Sequence, residues 1–160
     1  MLNNLDSYFI ARAIHIIAIV FWIGGVAFVT CVLIPAIKEI NSAEDKLQLF
    51  EKLESRFATQ AKISTVLSAL SGFYMLNFLQ AWPRYASIDY WWITLMTAVW
   101  LIFSCVLFIF EPWFLHKWFK RSAQKDSVKT FKYLHLMHII LLSISVVAVA
   151  GGVLGSHGYL

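Results

Sequence analysis

The sequence predicts an all-α protein: a four-helix transmembrane bundle with both termini on the external side. Three observations carry that prediction. The chain of 160 residues is 60% hydrophobic and only 14% charged, where soluble domains carry about a quarter charged residues. Its mean hydropathy is +0.71. Four segments, at residues 8–34, 58–79, 90–114 and 133–154, reach the length of about 20 mostly apolar residues that spanning a bilayer requires. Tyr8, Tyr74, Trp82, Tyr85, Tyr90, Trp91, Trp92, Trp113, Trp118 and Tyr133 cluster near their ends, as an aromatic belt would.

The first segment holds "RAIHIIAIVFWIGG", Arg12 to Gly25. Nothing basic precedes it, its apolar run is long and no small-x-small site follows, so it reads as a span rather than a cleaved signal. No lipidation motif is visible. Between the first and second spans, "NSAEDKLQLFEKLESRF" places Ser42 as a helix cap with Asp45 three residues on. Leu47, Phe50, Leu53 and Phe57 then follow at helical spacing, predicting an extension of the second helix that lies partly on the membrane surface. Trp82-Pro83-Arg84 punctuates a short turn between the second and third spans. Glu111-Pro112 is expected to end the third helix. The charge run from His116 to Lys132 then reads as a solvated loop facing the lipid headgroups. One domain is expected, with no low-complexity segment.

Charge sets the orientation. Lys38, Lys46, Lys52 and Arg56 lie between the first two spans, and Lys117, Lys120, Arg121, Lys125, Lys129 and Lys132 between the last two. The other side has only Arg12 and Arg84. The positive-inside rule therefore puts these two loops in the cytoplasm and both termini outside. The net charge of +4 follows from loop placement beside anionic lipid, and no nucleic-acid-binding module is visible. Cys31 and Cys105 are isolated within spans, without a CxxC, which excludes zinc-ribbon and thioredoxin-like chemistry and leaves them as small apolar packing residues.

Small residues repeat where helices would meet. Ser64, Ser68 and Gly72 recur every four residues on the second span; Gly151 and Gly155, with Ala148 and Gly152, mark the fourth; Gly24 and Gly25 mark the first. Such stripes allow close helix approach in lipid, and they could equally make room for a flat cofactor.

Ionisable residues inside a span are costly and tend to face a bundle interior. On a helix Arg12, His15, Ile19 and Trp22 share one face. A neutral His15 could ligate haem iron or copper, with Arg12 near a carboxylate such as a haem propionate. Alternatively His15 hydrogen-bonds a neighbouring helix while Arg12 snorkels to the surface. With mid-membrane near Phe21, Ala69, Leu101 and Ser145, His15 lies about 9 Å toward the outside, from the helical rise. Met75 and Met96 fall near that level, and His157 in "GSHGYL" lies further out. His138 lies roughly 20 Å from His15 along the normal, so these two should not share one metal. A second polar group, Glu111, His116, His135 and His138, gathers near the cytoplasmic ends of the last two spans. It reads either as a transition-metal site or as interfacial residues beside a basic loop. Paired carboxylates at one depth, GxSxG and phosphate loops are absent.

"IHIIAIVFWIGGVAFVTCVLIPAI" resembles the first helix of the CopD-type membrane proteins linked to copper resistance, and that of the HemJ-type protoporphyrinogen oxidases. Both have a His, a Trp some seven residues on and a following small-residue pair. "LESRFATQAKISTVLSALSGFYML" resembles their second helix, with an Arg-Phe entry and a late Gly. The resemblance implies a four-helix protein of the bacterial cytoplasmic membrane with periplasmic termini. It further implies that His15 stands where the HemJ-type enzymes have a haem ligand. Their third helix opens with His-x-Lys-Leu, whose Lys is essential. Here "WWITL" puts Trp92 and Thr94 in those places, so the residue the oxidase activity needs is missing.

Three functions follow as expectations. The first is a b-type haem protein in membrane redox chemistry. It would use His15 as ligand and Arg12 near a propionate, with Trp22, Met75, Met96 and His157 around the cofactor and a quinone or other redox partner. The second is copper transport or homeostasis, with an external entry at His15, Met75 and Met96 and an internal exit at Glu111, His116, His135 and His138. A homo-oligomer is expected there, since four helices are few for a channel. The third is a structural or assembly subunit with no prosthetic group. The haem reading stands narrowly ahead of copper.

Overall fold

The amino-terminal quarter is one long apolar rod: α1 (Leu2–Phe28), a π-helical turn (Val29–Leu33) and α2 (Ile34–Lys38). The π turn lies just ahead of Pro35. A proline ring clashes with the carbonyl four residues back; here that is Cys31, inside the turn whose wider hydrogen-bond spacing relieves the clash. The computed structural model describes residues 2–159 and, for side chains, leaves out those of 2–4 and 114–116.

α3 (Ala43–Phe78) starts where the sequence expects. Ser42 is extended, and its Oγ accepts the Asp45 N–H at 3.2 Å, while Glu44 and Asp45 fall in the positively polarised first turn. The segment 43–57 and the second apolar stretch form one unbroken helix. Its early residues do not lie on a surface: Leu47 and Phe50 are buried against Phe119 and Phe131. α3 ends with Gln80 in the left-handed region (φ 49°) and the Ala81 N–H returning to the Leu76 carbonyl at 2.8 Å. Two short 3-10 turns, Trp82–Ala86 and Ile88–Tyr90, lead into α4 (Trp91–Ser104).

The third apolar segment does not stop at Glu111-Pro112. α4 passes into a π-helical stretch (Cys105–Leu115) that carries Pro112 within it, and α5 (His116–Lys125) follows directly. The missing proline N–H is tolerated because the ladder is already re-spaced around it. Nor are residues 116–125 a loop. α5 has a buried side, where Phe119 and Ala123 pack on Phe50 and Phe131. Asp126 caps α6 (Ser127–Ser156) by accepting the Lys129 N–H at 2.9 Å.

α1 packs along α3, α4 along α6, and α5 on the start of α6. There is no strand among the described residues. One apolar cluster centres on Ile34, Ile37, Phe50 and Phe131, the other on Trp22, Val26, Phe103 and Ala148. The distribution of polarity is inverted relative to a soluble domain. Val20 (63% exposed), Phe21 (58%) and Leu70 (65%) face outward, while Ser64, Thr65, Ser68, Ser71 and Ser145 are buried. The hydroxyls of Ser68, Ser71 and Ser145 return to carbonyls of their own helices, as in Ser71 to Leu67 at 2.6 Å and Ser145 to Leu141 at 2.7 Å. Apolar exterior on this scale marks a surface made for lipid or protein contact. Among the described residues three helices are long and apolar enough to cross a membrane, Leu5–Lys38, Ile88–Trp113 and Ser127–Ser156. The expected second span, 58–79, is not among them: Lys62, Asn77 and the buried Ser64, Thr65, Ser68 and Ser71 lower its mean hydropathy.

Candidate functional site

α1 turns Ala11, Ala18, Trp22 and Val26 into the interior, with His15 half-buried on the same side. The His15 Nδ1 lies 2.9 Å from the Ser68 carbonyl oxygen and 3.1 Å from the Ser71 Oγ. A carbonyl oxygen only accepts, so Nδ1 carries the proton and Nε2 keeps a bare lone pair. Gly72 makes room here: a Cβ at that position would stand 3.1 Å from the imidazole Cε1. The stripe Ser64, Ser68, Gly72 thus seats the histidine ring itself.

His15 walls a cavity of about 60 Å³ together with Ile19, Trp22, Met96, Trp100 and Ser145. The Trp100 Nε1–H donates to the Thr65 carbonyl at 3.1 Å. Trp22 is 4% exposed, meets Phe103 edge to face at 5.1 Å, and its Nε1–H has no acceptor among the described residues. Met96 is held against α6, where a Cβ on Gly152 would come 3.1 Å from its Sδ. Of the predicted face, His15, Ile19 and Trp22 therefore meet Met96 in one place. Met75 is half-buried and outside this wall, and Arg12 is half-buried with no ion pair among the described residues. The His157 Nδ1 binds the Val153 carbonyl of its own helix at 2.8 Å, at the exposed end of α6.

The inner polar group divides in two. His135 has both nitrogens engaged: the Lys38 ammonium donates to Nδ1 at 2.6 Å, and Nε2–H donates to the Thr30 carbonyl at 3.0 Å. Thr30 lies in the π turn, where re-spaced bonding leaves a carbonyl in need of a donor. Replacing His135 by Leu is expected to lower stability by about 1–3 kcal/mol, the cost of a carbonyl left without its donor. Thermal unfolding in mild detergent measures it.

Glu111 and His138 belong together instead. Both wall a second cavity, about 110 Å³, with Glu51, Glu54, Met137 and Phe57. Glu111 pairs with the Lys62 ammonium at 2.6 Å, and the His138 Nδ1–H donates to the Leu134 carbonyl at 2.9 Å. Lys62 was missed by sequence reasoning, although a single lysine inside an apolar helix is a signal for a buried partner. The His116 side chain lies outside the described residues. Among the described residues no three His, Cys, Asp or Glu side chains converge as a ready metal site, and Cys31 and Cys105 are free thiols.

The donor chemistry at His15 suits iron or copper, because a ligating imidazole usually donates its other N–H to a carbonyl. The space is another matter. A cavity of about 60 Å³ is far below the roughly 300–1,000 Å³ that cofactor pockets take. The nearby glycines are also filled from within, Gly72 by His15, Gly151 by Trp91 and Gly152 by Met96. The interior around His15 fits a single ion and does not fit a porphyrin. No family model, no curated protein and no solved structure matches the chain.

Proposed function

We propose that the chain is an integral membrane protein of four spanning helices with both termini external, and that it handles copper through an interior site at His15 and Met96. The observation that carries this reading is the tautomer of His15. Its Nδ1–H is committed to the Ser68 carbonyl, which leaves the Nε2 lone pair for a cavity that the Met96 thioether also walls. Imidazole and thioether suit cuprous copper, and a cavity of this size suits a single ion. The fourth span is α3, with its serines turned inward against α1 and its apolar residues outward. The resemblance to CopD-type proteins points the same way, as does the excess of Lys and Arg in the connections after the first and third spans.

A b-type haem is the second reading. The same His15 tautomer favours it, as does half-buried Arg12 without an acid partner among the described residues, available for a propionate. It requires the helices to part by much more than the present cavity, which places it after copper.

The test is metal analysis and an absorption spectrum on one purified sample in mild detergent, after growth with copper and haem precursors supplied. The expected result is bound copper, of which His15→Ala loses one ion per chain, with no Soret band. A Soret band that His15→Ala abolishes would establish haem instead. Neither metal in a folded sample would leave the scaffold role.

A further inference from the structure

We propose, on the basis of the copper reading of His15, that the cavity walled by Glu111 and His138 is a second cation site in series with the first, and that the Trp22 indole is the movable partition between them. Among the described residues Trp22 alone walls both cavities. It is almost wholly buried, and its Nε1–H meets no acceptor among the described residues. A buried donor without a partner calls for an explanation. A cation passing with its hydration water supplies one: the N–H donates to that water, and the ring face holds the charge. Phe103, which meets the indole edge to face at 5.1 Å, walls the inner cavity and not the outer one, so the indole separates the two.

The two stations share one device. His138, like His15, donates Nδ1–H to a backbone carbonyl, Leu134 at 2.9 Å, and so keeps Nε2 as a donor atom for a metal. The same cavity is walled by Glu111, whose carboxylate already carries the Lys62 ammonium at 2.6 Å. Lys62 is 33% exposed on a long flexible stem, so its amine can withdraw outward as a cation arrives. One positive charge then replaces another, and the charge of the inner cavity does not change. The carboxylate makes the inner site harder than the histidine–thioether site, so a soft cation is held there more weakly than at His15 and passes on from it.

The experiment combines copper stoichiometry in detergent with flux into vesicles of phosphatidylethanolamine and phosphatidylglycerol, using cuprous ion kept reduced by ascorbate and a trapped chelator as reporter. The wild-type chain is expected to bind two copper ions and to pass copper. His138→Gln, and the double variant Lys62→Met/Glu111→Gln that removes the carboxylate without stranding the ammonium, should each bind one ion. Each should lower the flux about tenfold or more. Trp22→Ala should raise the initial flux several-fold. A single copper ion lost in His15→Ala, with no flux and no effect of the inner variants, would overturn the second site while the His15 reading stands. A chain that binds no copper would overturn both.

Discussion

Lys62→Met and Glu111→Gln, made singly, are each expected to cost more stability than the two made together. The ammonium and carboxylate are 2.6 Å apart, with exposures of 33% and 25%. They join α3 to the π-helical stretch after α4. Breaking a fully buried pair from one side costs roughly 3–5 kcal/mol, because a charge is left without compensation, whereas replacing both partners by neutral groups of similar size is often close to neutral. Partial exposure reduces this to about 1–3 kcal/mol for each single variant and less than about 1 kcal/mol for the double. A double-mutant cycle on the unfolding free energy in a detergent titration reads it directly. Additive losses would show that the pair contributes nothing to the fold.

Gly155→Ala is expected to destabilise the chain while Gly24→Ala stabilises it, although both exchange the same residues in a helix. A Cβ at residue 155 would fall within the Trp92 indole, and one at residue 151 would stand 2.8 Å from the Trp91 ring and 3.0 Å from the Trp92 Cβ. These rings are wedged between α4 and α6 and cannot retreat as a methionine tail could. Overpacking of this kind costs about 1–3 kcal/mol. At Gly24 a Cβ would have nothing within 4 Å, so only helix propensity counts, worth up to about 1 kcal/mol in favour of alanine. Thermal melts of the two variants in one detergent should move in opposite directions. Equal shifts would mean that α6 does not sit on the tryptophans of α4 in the way described.

Local signals in the sequence carried furthest. Ser42 capping α3, the turn after Trp82 and the sharing of one face by His15, Ile19 and Trp22 all depend on spacing within a few residues, and each is found in the fold. Pro112 misled because proline ends an α-helix, while the wider π-helical spacing around it gives the ring room beside the carbonyl four residues back. α5 was hidden by its own charge: Lys117, Lys120, Arg121 and Lys125 among its ten residues read as a solvated loop. The partners of His135 and Glu111 could not be read at all. Lys38 and Lys62 are remote in the chain, and only the packed helices bring them within 2.6 Å. The same holds for Ser68, whose side chain drew notice as part of a stripe while its carbonyl fixes the His15 tautomer.

The inward serine and threonine side of α3 also bears on how the chain enters its membrane. Leu5–Lys38, Ile88–Trp113 and Ser127–Ser156 can each partition into lipid on hydropathy alone. α3 entering alone would present Lys62, Ser64, Ser68 and Ser71 to hydrocarbon, and the Ser68 and Ser71 acceptors would lack the His15 proton they receive in the fold. α1 has the reciprocal need, since its imidazole finds its acceptors only on α3. In the proposed four-span topology the two helices are expected to insert together as a hairpin. The first can enter lipid on its own hydropathy, but its imidazole gains its acceptors only when α3 follows.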